Sequence, residues 1–352
     1  NNVAVGKEAL KVITDGDENT AVGYSAGLQI TDGAENVLMG KNAGRNGNIS
    51  NNTYIGFEVG QGVSGSTNAT NNTGVGHSAL KAITTGNENT AVGKHSLDTL
   101  TTGSHNVVLG SNAGYNLTTT GHTVLVGYKA GYAINHANAN GSVGIGYKAL
   151  EALTTGIGSV AIGYQAGLAM TANHQNTIIG YNAFRTADSA EDNNVIIGFD
   201  AGASINHANA DDNVIIGTYA GTGGANALSK SIAIGSNALN STGGNVSTGS
   251  VAIGYNTLTA LTSGANNTAI GYEAIKSAST EAQSVAIGYQ AMSTTSNGSN
   301  NTMVGYSTGK FLTAGNDNNT GIGHDALSGI HAGVSEKNTA IGSGSMAGAI
   351  NG

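Results

Sequence analysis

The side chains of this chain that could do chemistry are few and lie apart. Carboxylates gather as Asp15, Asp17 and Glu18, as Glu191 and Asp192, and as Asp211 and Asp212. None of these groups has the spacing of a calcium-binding loop, so they read as solvated loop charges. His136 and His207 share the context Ile-Asn-His-Ala-Asn-Ala and stand 71 residues, or four repeats, apart. At strand spacing that is roughly 19 Å, too far for one metal ion. Without cysteine there is neither a thiolate metal site nor a disulfide. No phosphate-binding glycine motif, hydrolase elbow or acid/base pair is present. The expectation is a protein that is not an enzyme, with no catalytic residue, metal site or cofactor. What remains is recognition by aromatic rings: Tyr147, Tyr164 and Tyr181 form one regular run, and Tyr255, Tyr272, Tyr289 and Tyr306 another. Such rows could stack on sugars or pack on a partner protein; ring-on-ring stacking that stiffens the scaffold would use them equally well.

Each of these tyrosines follows a glycine that closes the word Asn-(Val/Thr)-x-(Val/Ile)-Gly, found twenty times between Gly6 and Gly342. The nineteen intervals run from 16 to 20 residues with a mean of 17.7. A short, persistent period predicts one structural unit stacked on itself, hence a single solenoid over residues 1–352. Three residues before each glycine stand ten Val, nine Thr and Ile232, and one residue before it the side chain is always aliphatic. Residues two apart share a face of a strand, which places these two inside the coil. Four residues before the glycine stand fourteen Asn, five Ser and Thr123, a pattern suited to an amide ladder along the stack. Ala three residues after most glycines marks a second inward segment. The result is an all-β parallel solenoid of about twenty coils, with two short strands and two turns in each. Its length would be about 90 to 100 Å.

The residue two before each glycine should then point outward, yet it is never charged. It includes Leu38, Val108, Leu125, Ile178, Ile196, Ile215 and Met303. An apolar stripe of this length predicts burial between chains, in a parallel bundle of identical rods. Inward threonines argue against a flat, ice-binding threonine face.

Composition supports a thin interior: 56 Gly, four Phe, no Trp and no Pro, with only 10% of residues charged. Absent proline withdraws no donor from a long backbone ladder. The net charge is −8 and no Lys/Arg cluster exists, which makes nucleic acid and anionic membrane poor partners. No apolar run approaches a transmembrane helix and no signal peptide opens the chain, and the absent initiator Met suggests a processed chain or a fragment.

The words Ser159-Val160-Ala161-Ile162-Gly163, Ser250-Val251-Ala252-Ile253-Gly254 and Ser284-Val285-Ala286-Ile287-Gly288 resemble the head repeat of YadA-type trimeric autotransporter adhesins. The resemblance extends to all twenty coils and implies a left-handed parallel β-roll assembled as a homotrimer. The period here is longer than the family's, and no neck, coiled-coil stalk or membrane anchor is recognisable. Similar Asn-Thr-Ala-Val-Gly-Tyr arrays occur in phage tail-fibre-like proteins. The expected function is a non-enzymatic extracellular fibre or adhesin head, at a cell or virion surface, that binds a glycan or an extracellular protein. One alternative is a tail-fibre shaft for host recognition. Another is a filament of end-to-end solenoids, since joining Gly342 to the next copy's Gly6 gives a period of 16.

Overall fold

Each copy of the word folds as a three-residue strand that ends at its glycine. The computed structural model describes residues 1–188, 191–223, 228–240, 247–295, 298–312, 315–329 and 336–348. The chain divides into two compact units, Asn1–Gln175 and Asn176–Gly352. In the first, ten such strands run from Val3–Val5 to Val160–Ile162, each paired in parallel with the next. In the second, ten run from Thr177–Ile179 to Thr339–Ile341 with the same register. Each unit is thus a parallel β-solenoid, with one coil per repeat. No described helix is long and apolar enough to cross a membrane.

Two strands per coil are expected from the sequence, but one forms. The segment after the glycine is a stack of turns. Its backbone enters the left-handed region two and four residues past the glycine, as at His95 (φ 56°) and Leu97 (φ 50°). That conformation interrupts an extended chain. The turns nevertheless bond coil to coil, as when Leu97 N donates to Ala113 O at 3.1 Å. Short second strands occur only locally among the described residues, at Leu228–Ser229 and Ser247–Thr248.

The strand parity is the reverse of the sequence expectation. Leu38, Val108, Leu125, Ile178, Ile196, Ile215 and Met303 are fully buried inside their own coils and form no interchain surface. The reason lies in the neighbouring asparagine. Asn72, Asn89 and Asn106 point inward, where Asn72 Oδ1 accepts from Asn89 N (2.9 Å) and Asn89 Nδ2 (3.0 Å), and Asn89 Oδ1 serves Asn106 in the same way. Asn89 Nδ2 also donates to Gly103 O at 3.0 Å, which ties the ladder to the opposite turn. Thr123 continues it, its hydroxyl donating to Asn106 Oδ1 at 2.7 Å. With the asparagine inside, the side chain two residues on is inside too, and its two neighbours face out.

The core is a thin layer between this inner row and the residues three, four and seven past the glycine. Packing is complementary in size across it: in seventeen of twenty coils a large side chain at one of the facing positions meets Gly or Ala at the other. Leu125 faces Gly131, where an added Cβ would lie 2.7 Å from a Leu125 methyl, and Tyr54 faces Gly60. Conversely Ala91 and Gly144 sit in coils that carry Leu97 and Leu150. The closing glycine itself is required by contact as well as conformation. Gly110 has φ +140°, and a Cβ there would stand 2.4 Å from the Gly127 carbonyl oxygen.

Candidate interaction surface

The outer face of each sheet is built by the two rows that the sequence seemed to place inside. Val37 and Met39, Val107 and Leu109, and Ile179, Ile287 and Ile322 all stand exposed, at 36 to 43%. Because neighbouring strands pair residue for residue, like positions line up along the sheet. Neither row holds a charged residue in any coil. Threonines lie on this outer face, in runs no longer than Thr53, Thr73, Thr90 and Thr302, Thr320, Thr339, beside a row that has no Thr. The expectation that they point inward is corrected, though runs of three do not make a continuous threonine surface.

The aromatic row lies just past the glycine, where the chain leaves the sheet for the turns. Tyr128, Tyr147 and Tyr164 stack at 5.5 and 5.0 Å in the first unit. In the second, Tyr181 stacks on Phe199 at 5.3 Å, and Tyr255, Tyr272, Tyr289, Tyr306 and His324 form a continuous stack at 4.8 to 5.4 Å. Planes within 8° of parallel in the tightest of these pairs turn the ring faces toward one another. Inside a run only ring edges and hydroxyl tips face solvent, so stacking on a sugar is confined to the ends.

A second aromatic row was not singled out from the sequence. Tyr115 and Tyr132, five residues past Gly110 and Gly127, stack at 5.4 Å, with His95 edge-on to Tyr115 at 6.0 Å. Their common offset from the repeat glycine is the signal that would have found them. Lys129 lies between the two rows, Nζ 5.8 Å from the Tyr128 ring centre and 5.0 Å from that of Tyr132. Glu151 holds it at 3.5 Å and Lys148 at 3.0 Å.

The other candidate groups are dispersed. His136 and His207 each accept a local backbone bond at Nδ1, from Asn138 N at 3.1 Å and Asn209 N at 3.2 Å. Among the described residues no three His, Asp or Glu side chains converge as a metal site. Asp211 caps a neighbouring turn by accepting from Asp192 N at 2.8 Å. Glu191, expected to be solvated, is fully buried because it stands on the inner side of its turn. No protein-family model matches the chain, and no curated protein matches it.

Proposed function

We propose that the chain is a non-enzymatic, oligomeric fibre segment of an extracellular attachment protein, displayed on a cell or a virion. The observation that carries this reading is the outer sheet face: two parallel rows of Val, Thr, Ile, Leu and Met, partly to fully exposed and never charged. Soluble monomers seldom leave so long an apolar surface in water. Covering it with further copies of the same chain satisfies every coil at once, because identical rows present identical spacing. Three copies around an axis is the arrangement that the resemblance to YadA-type heads implies. The fibre would then present its turn side, with the aromatic rows, to a glycan or protein receptor.

Sedimentation equilibrium on the intact chain tests the assembly: three times the monomer mass is expected, and a monomer at micromolar concentration overturns it. Electron microscopy of the same sample is expected to show discrete particles. Long fibres would instead favour end-to-end stacking as a filament.

A further inference from the structure

The tyrosine row that opens at Tyr128 has a missing rung. The coil before it carries Ser111 in the place of the ring, directly after Gly110. The strands of the two coils pair in register, so Ser111 stands one strand spacing, about 4.8 Å, from Tyr128. That is close to the distance at which Tyr147 stacks on the other side of Tyr128. A hydroxymethyl group leaves the space of one ring beside a tyrosine that is 42% exposed.

The coil of Ser111 equips this space. Asn112 Nδ2 donates to Ser111 Oγ at 3.3 Å, and Tyr115, stacked on Tyr132, stands across from them in the second aromatic row. Lys129 bridges the two rows and shares Glu151 with Lys148. A ring face, a hydroxyl, a carboxamide and a second aromatic wall therefore meet over one coil. The ladder of the second unit lacks this combination. Its first ring, Tyr255, also follows a serine, Ser236, but Asn240 and Thr259 occupy the places of Tyr115 and Tyr132. The face of Phe199 is taken by Tyr219, edge-on at 5.4 Å.

We propose that the space between Ser111 and Tyr128 is a saccharide subsite, in which one pyranose ring stacks on Tyr128 and hydrogen-bonds to Ser111 and Asn112. A sugar fits because it joins a flat CH face to a rim of hydroxyls. An aliphatic side chain would cover the Ser111–Asn112 pair and leave its remaining donors and acceptors unused. Lys129 and Lys148 share the single Glu151 carboxylate, at 3.5 and 3.0 Å, and Lys94 takes the place of Ser111 in the preceding coil. The inference rests on the attachment reading, and the subsite lies on the turn side, away from the sheet face that other copies would cover.

The test is saturation-transfer NMR and affinity titration on the full chain, in whatever assembly it forms, with cellotetraose, triacetylchitotriose, maltotetraose and lactose as probes. At least one is expected to bind. Ser111→Tyr, which supplies the missing rung with a residue normal at that position, is expected to weaken binding about tenfold without changing Tm or mass. Tyr128→Ala is expected to weaken it similarly, and Tyr272→Ala to leave it unchanged. No transfer to any of the four probes, or undiminished binding by Ser111→Tyr, overturns the subsite. A monomeric mass with intact saccharide binding would overturn the assembly reading alone.

Discussion

Glu281 shows how much one residue can deviate from a repeat without breaking it. It stands seven residues before Gly288, the coil position that Glu191 holds before Gly198, and both side chains are fully buried. Its Oε1 accepts from Ser284 Oγ at 2.5 Å and its Oε2 from Gly298 N at 2.9 Å. Burial pushes its pKa up from 4.5 to about 7; the two hydrogen bonds oppose that rise and Asp317 adds to it. Between these values the folded chain keeps a proton that the unfolded chain has released. Stability from this group is therefore complete below about pH 4.5 and is lost as pH rises toward 7, by on the order of 3 kcal/mol. Thermal unfolding from pH 4.5 to 7.5 is expected to show a falling Tm in the native chain. Glu281→Gln keeps acceptor oxygen and loses the titration, so its Tm should be flatter over that range. An equal slope in both proteins would refute the assignment.

At the scale of the coil, the sequence made the element type legible and the parity illegible. The glycine, the β-branched residue three before it and the asparagine row locate every three-residue strand, including Thr20–Val22 and Val195–Ile197. Inside and outside were confused because a consistently aliphatic row resembles a core. The resolving signal lies across the coil, where Leu125 meets Gly131 and Met303 meets Gly309, a size exchange that only facing positions need. The aromatic trough was half legible: Tyr147 and Tyr164 follow the glycine directly, whereas Tyr115 and Tyr132 need the turn geometry to be brought beside them. The exchange makes a prediction. Leu125→Ala alone should cost about 2 to 5 kcal/mol by opening a cavity, and Gly131→Leu alone should overpack against Leu125 by about 1 to 3 kcal/mol. The double variant recreates the arrangement of Ala91 with Leu97, where leucine already adopts φ 50°. Denaturant unfolding should show it well above the stability expected from the sum of the single losses, and strict additivity would mean that the two positions do not face each other.

At the scale of the molecule, each unit is a quasi-one-dimensional stack in which each coil packs on its neighbours, so stability accrues coil by coil and no coil depends on a central core. Such a stack has a dry inside only one layer thick and an outside made of the same small vocabulary of residues. A charge therefore has opposite consequences depending on which row it enters. Leu109 is on the outer face, 37% exposed, and Leu125 is buried in the next coil. Leu109→Lys can extend its ammonium into water in a single chain, but on a face covered by other copies it places like charges against one another. It is expected to leave circular dichroism and Tm nearly unchanged while shifting the sedimenting species to monomer. Leu125→Lys buries an unpaired ammonium between the inner row and the turns, and is expected to unfold the surrounding coils at any state of assembly. Were the strand parity reversed, the two variants would exchange phenotypes: Leu125→Lys would dissociate a folded chain and Leu109→Lys would unfold it. Sedimentation velocity and thermal melts on this one pair thus decide both which side of the strand is interior and whether the remaining side is covered by copies of the chain.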